Sequence, residues 1–176
     1  MTTMIWTARY ADADTVARLR ADPSGIGAFV SGFDVDEALL DAPAEVHNPA
    51  IPFDLDEQWQ AIHHLLTGSA GATDDALSVI VGKFPKIGKD QGFGAAWLIP
   101  AGAIIDANEA LEAVSNAELR KRYDPKAMVA DGVYGAKLLL EDGEGGLDFV
   151  IDDVDRLRSF LREGAKRKLA AFAMIN

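Results

Sequence analysis

The chain has 176 residues, a formal charge of −11, a pI near 4.6 and no cysteine. The missing thiols exclude disulfides and thiolate metal centres and fit a reducing, cytoplasmic setting. A polyanion repels phosphate backbones, so nucleic acid is not expected as a partner, whereas a basic protein would suit the charge.

Half the residues are apolar and a quarter charged, an ordinary globular balance for one domain spanning 1–176 with a full core. The leading MTTMIWTARYADAD has neither the basic start nor the apolar run of a signal peptide. The apolar run AAWLIPAGAII at 95–105 is broken by Pro100 and Gly102, so no membrane span is expected.

Residues 3–10 alternate and favour a first strand. Asp12 or Asp14 caps a helix that the Asp22-Pro23 step ends. Between 24 and 50, Gly25, Gly27, Gly32, Pro43 and Pro49 leave room for one or two short helices. A helix over 55–67 follows, with Asp54 as its cap and Gly68 just past its end. FDVDE at 33–37 echoes FDLDE at 53–57, and both have the spacing of a capping box.

ALSVIVG at 76–82 and AAWLIP at 95–100 are short, apolar and bounded by turn formers, as buried strands are. GKFPKIGKDQGFG at 82–94 is a Gly-rich basic connection between them. Pro100 opens a helix through Leu111 and Val114, and Ser115 caps another through Leu119 and Tyr123. EDGEGGLD at 141–148 is expected to be a loop. From Leu147 on, Val150, Val154, Leu157, Leu161 and Ala165 recur at +3 and +4, marking a long amphipathic helix. LAAFAMI at 169–175 returns as a strand. Strands scattered among helices without a βαβ beat favour an α+β fold, a small mostly antiparallel sheet with several helices packed on it.

Within 55–67, Leu55, Trp59, Ile62 and Leu66 form one apolar seam, while Asp56, His63 and Thr67 line up beside it. Trp59 and His63, with Asp56 orienting the imidazole, are thus candidates for a small-molecule pocket. His63 would donate a hydrogen bond or act as acid–base. The competing reading is a capped core helix. His64 points about 100° away, so the two histidines do not converge on a metal ion.

Lys83, Lys86 and Lys89 make a positive cluster that would suit an anion, but the loop is not a P-loop. Five residues separate Gly82 from Gly88, Pro85 intrudes, and Asp90 takes the hydroxyl position. Gly92-Phe93-Gly94 likewise lacks the third glycine of a dinucleotide fingerprint. Arg162, Lys166, Arg167 and Lys168 complement the dipole at a helix end. EDGEGGLD lacks the alternating ligands of a calcium loop. There is no G-x-S-x-G elbow and no H-E-x-x-H, so no catalytic residue, metal or cofactor is assigned. Tyr123 and Tyr134 read as core residues with wet hydroxyls.

D-L-D-x-x-W-x-x-I-H-x-L-L-T-G, spanning Asp54 to Gly68, resembles the hallmark segment of the YfbM-like family of bacterial proteins, a domain of unknown function. The resemblance extends to the strand and helix ending in Ala-Asp-Pro at 21–23, GFGAAWLIP, SNAELRKRYD, Val133-Tyr134-Gly135 and the long helix with its apolar tail. The chain departs from the pattern at Glu57, where a basic residue is common, and at Gly135-Ala136-Lys137, where aromatic residues are usual. The resemblance implies a compact α+β fold in a bacterium and no known activity. These readings favour a non-enzymatic binding or interaction protein over an enzyme. An exposed apolar face on the C-terminal helix would allow a dimer.

Overall fold

In the computed structural model, residues 3–40 and 46–176 are described. Pro43, one of the breaks read in the 24–50 region, lies outside them. Strand β1 (Trp6–Ala11) leads into α1 (Ala13–Ala21), where the Asp12 carboxylate accepts from Thr15 N at 2.8 Å. A 3-10 turn at Pro23–Gly25 joins α2 (Ile26–Ser31), and α3 (Glu37–Leu40) is a single turn. After β2 (Phe53–Asp54) comes α4 (Trp59–Thr67), and β3 (Lys86–Asp90) and β4 (Ala95–Ile99) form a hairpin. Helices α5 (Ala101–Glu112), α6 (Asn116–Arg122), α7 (Pro125–Ala130), α8 (Ala136–Asp142) and α9 (Glu144–Arg167) precede the last strand, β5 (Ala170–Ile175).

The sheet is antiparallel throughout, in the order β2-β1-β5-β4-β3, so the C-terminal strand lies at its centre. Period-two alternation divides its side chains between two faces. Trp6, Ala8, Tyr10, Trp97, Ile99, Ala171 and Ala173 join the larger core under α4 to α9. Ala11, Ala96, Leu98, Phe172 and Met174 meet Leu19, Ile26 and Val30 of α1 and α2 on the other face. The architecture is α+β, as expected. The apolar stripe of α9, with Val150, Val154, Leu157 and Leu161 all buried, is used inside the chain.

Four local expectations need correction. Asp54 does not cap a helix. It pairs with Thr7 in the sheet, Leu55 N donates to Trp6 O at 3.1 Å, and the Asp54 carboxylate accepts from Asp56 N. Asp56 then adopts a left-handed φ of 49°, and a 3-10 turn at Asp56–Gln58 delays the α-helix to Trp59. The echoing box at 33–37 fails for a similar reason, because Asp34 binds Arg9 at 2.6 Å instead.

Residues 76–82 are turns, not a strand. Asp75 accepts from Leu77 N, and Ser78 accepts from Thr73 N while donating to Val81 O, so polar side chains wind up an apolar run. The basic connection at 82–94 contains strand β3, an edge strand whose side chains are mostly exposed. The expected loop at 141–148 is instead helical on both sides of Gly143, which takes φ 60° at the α8–α9 joint. Gly146 is buried there, with Leu139 and Tyr123 close against it, where a larger residue would not fit without movement.

Candidate functional site

The segment read as a pocket is core. Trp59 is 5% exposed and its indole N–H donates to Met4 O at 3.1 Å, tying α4 to the chain before β1. His63 is fully buried, with Nε2 2.8 Å from Gly71 O. A carbonyl can only accept, so Nε2 carries the proton and Nδ1 is a bare lone pair without a partner. Desolvation holds this imidazole below its ordinary pKa, favouring the neutral form.

Asp56 is exposed and outside the helix, so the expected line of Asp56, His63 and Thr67 is not formed. Only Thr67, whose hydroxyl donates to His63 O at 2.8 Å, remains beside the histidine. His64 Nε2 reaches Asp131 Oδ2 at 2.7 Å and links α4 to the end of α7. Met4 N donates to the Tyr134 hydroxyl at 3.3 Å, while the buried Tyr123 hydroxyl has no partner.

The three lysines likewise do not converge. Lys83 Nζ pairs with Asp74 at 2.7 Å, and Lys86 Nζ lies 4.2 Å from the centroid of the Trp97 ring. Lys89 borders an open hollow of about 550 Å³ between the hairpin and Asp22–Ser24, together with Asp22 and Asp90. In this arrangement a free anion would meet lysines already engaged and two carboxylates beside the third.

The more distinctive site lies where β1, β2, the segment before β2 and the C-terminal half of α9 meet. Phe160 is stacked between two rings, Tyr10 at 4.3 Å and Phe53 at 4.6 Å, both within 16° of parallel. His47 stands edge-on to all three, 5.1 Å from Phe160, 5.6 Å from Phe53 and 6.0 Å from Tyr10. The Tyr10 hydroxyl donates to Phe160 O at 2.6 Å. It can approach that closely because Gly164, one turn on, has no side chain.

His47 also borders a hollow of about 120 Å³ whose other walls include Ile51, Pro52, Phe53, Arg156 and Ser159. Its Nε2 is shielded from solvent and has no hydrogen-bond partner among the described residues. Burial pushes the imidazole pKa down to about 4, with Arg156 adding to the shift and Glu163 opposing it. At neutral pH the ring is therefore uncharged.

The guanidinium of Arg156 lies 5.3 Å from the Phe53 centroid, donating to Asp54 O at 3.0 Å and to Asp153 at 2.8 Å. Among the described residues no group of three or more histidines and carboxylates is placed to hold a metal ion. Nor is any helix there long and apolar enough to cross a membrane.

A family described as a domain of unknown function, DUF1877, matches residues 3–173 in sequence. The chain belongs to this family. Its fold is shared with a solved structure. YfbM from Escherichia coli, described as a protein of unknown function, superposes with a TM-score of 0.65 over 99% of this chain and 100% of its own. At 18% identity that likeness concerns the fold alone. No curated protein matches the chain.

The resemblance read at Asp54 to Gly68 therefore identified the family correctly, and most of the α4 residues in that segment are buried. His47 was not singled out in the sequence. It stands alone in VHNPA without periodicity, and of its three aromatic neighbours only Phe53 is near in sequence, Tyr10 lying 37 residues before it and Phe160 113 after it. The signal that marks it, an unpaired ring nitrogen beside a hollow, exists only in three dimensions.

Proposed function

We propose that this DUF1877 chain is a non-enzymatic binding protein that seats a small ligand group in the hollow beside His47. The observation that carries the reading is the shielded, unpartnered Nε2 of a neutral histidine bordering that hollow. A buried polar atom without a partner costs about 1–3 kcal/mol, and a ligand group that hydrogen-bonds to it recovers part of that cost. A hollow of about 120 Å³ is small beside the roughly 300–1,000 Å³ of drug-sized sites, so it suits one functional group rather than a whole metabolite. The cysteine-free acidic chain and its likeness to an Escherichia coli protein support a place in a bacterial cytoplasm.

The test is thermal melting against a metabolite panel, with His47→Phe alongside the wild type. A ligand at a hundred times its dissociation constant stabilises by about 2.7 kcal/mol, which moves the midpoint of a chain this size by roughly 5–10 °C. The expected result is a shift that His47→Phe abolishes. A shift that persists in that variant, or none from any member, would overturn the reading.

A further inference from the structure

We infer that the group seated beside His47 is an organic cation, a guanidinium or alkylammonium, which binds against Phe53 in the place now held by Arg156. The inference rests on the binding role proposed for the hollow and specifies its chemistry.

The chain already places a cation there. Arg156 lies over the Phe53 ring and is held by the carbonyl of Asp54 and the carboxylate of Asp153. An aromatic face with two convergent acceptors is a cation seat, and each of its parts is visible in use. Arg156 is also displaceable, because its side chain is 44% exposed and its carboxylate partner is three residues away on the same helix.

Burial, supported by the neighbouring Asp56 and Asp54, keeps the Asp153 carboxyl above its usual range even with Arg156 beside it. The carboxylate that holds Arg156 therefore senses two further carboxylates. An incoming anion would be repelled by them, whereas an incoming cation would relieve them.

A protonated imidazole would repel a cationic ligand, but the His47 ring that walls the hollow is neutral, and its shielded Nε2 is unpaired among the described residues. Ser159 adds a hydroxyl oxygen to the same wall. The hollow is large enough for a guanidinium or a short alkylammonium, with the rest of the ligand outside it.

The same chemistry is offered by a free amine or guanidine and by an arginine or lysine side chain on a basic protein. Titration calorimetry of the intact chain would use methylguanidinium, propylammonium, a capped Gly-Arg-Gly tripeptide and acetate. Each would be run with wild type, Arg156→Ala and Asp153→Asn, after melting curves confirm that both variants fold. If Arg156 fills the seat about nine-tenths of the time, removing it tightens methylguanidinium by about tenfold. Asp153→Asn is expected to weaken the same cation, and acetate is not expected to bind.

A tripeptide that binds more tightly than methylguanidinium supports a protein side chain as the source. The reverse order supports a free small molecule. No saturable cation binding to Arg156→Ala, or no gain over wild type, overturns the inference. If the metabolite panel yields an anionic or neutral ligand that His47→Phe abolishes, the binding role stands and the cation assignment falls. If nothing of any charge binds, both fall.

Discussion

Gly164→Ala tests how the aromatic stack under the site is built. A Cβ on Gly164 would fall against the hydroxyl oxygen, Cζ and Cε1 of Tyr10. In an open helix the change would gain about 1 kcal/mol of propensity. Here the Tyr10 ring is 4% exposed, stacked on Phe160 at 4.3 Å and bonded to Phe160 O at 2.6 Å. Displacing it loosens a stack worth about 0.5–1.5 kcal/mol and strands a buried hydroxyl at about 1–3 kcal/mol. The net expectation is a loss of about 1–3 kcal/mol, a fall in melting temperature of roughly 3–10 °C by calorimetry. In a Tyr10→Leu background the same alanine should cost nothing or stabilise, so the two changes are strongly non-additive. A Gly164→Ala protein as stable as wild type, with Tyr10 in place, would refute this account of the stack.

His63→Ala should lower stability by about 2–4 kcal/mol in urea unfolding, because a fully buried ring is lost along with its bond to Gly71 O. An unchanged midpoint would mean the histidine is not part of the packing. His47 gives a pH dependence whose direction follows from its depressed pKa. The folded ring titrates near 4 and the free imidazole near 6.5, so between those values the unfolded chain binds the extra proton. The contribution is therefore complete above about pH 6.5 and is lost as pH falls towards 4, on the order of 2–3 kcal/mol. Subtracting the His47→Phe curve from the wild-type curve, pH 7.5 against pH 4.5, isolates it from the His63 shift of the same sign. A difference that stays flat across that range would show that the ring is not desolvated.

The parts of the fold legible in the sequence are those governed by neighbouring residues. Asp12 caps α1 and Ser115 with Glu118 makes a complete capping box on α6, each using a partner three residues on, and Pro100 precedes α5. The +3/+4 stripe of α9 and the apolar strands β4 and β5 were equally plain. The failures occur where a distant partner outweighs a local signal. Asp54 has every mark of a helix cap, but pairing with Thr7 of β1 claims its backbone first. Asp34 reads as a cap too, until Arg9 reaches it from the sheet with further bonds to Phe29 O and Ala50 O. At 141–148, three glycines and four acids read as a loop, yet one left-handed joint at Gly143 suffices and tertiary contact makes the rest helical.

The same distinction explains why the sequence pointed to His63 and the structure points to His47. His63 was conspicuous because its neighbours on the helix could be counted, and regular periodicity is also what a packed core produces. His47 has no periodic neighbours. Its surroundings are assembled from three separate stretches of chain, and only the β1–β2 register and the crossing of α9 bring Tyr10, Phe53 and Phe160 together. A phenylalanine at position 47 would complete that aromatic cluster without an orphaned nitrogen. The other unpaired buried atoms near the core are a different case for His63 at least, whose second nitrogen is already bonded to Gly71. Among the described residues, His47 combines an unpaired nitrogen, a neutral ring and a hollow walled in part by a cation over an aromatic face. Stability by itself does not favour that combination, and a ligand that completes it would.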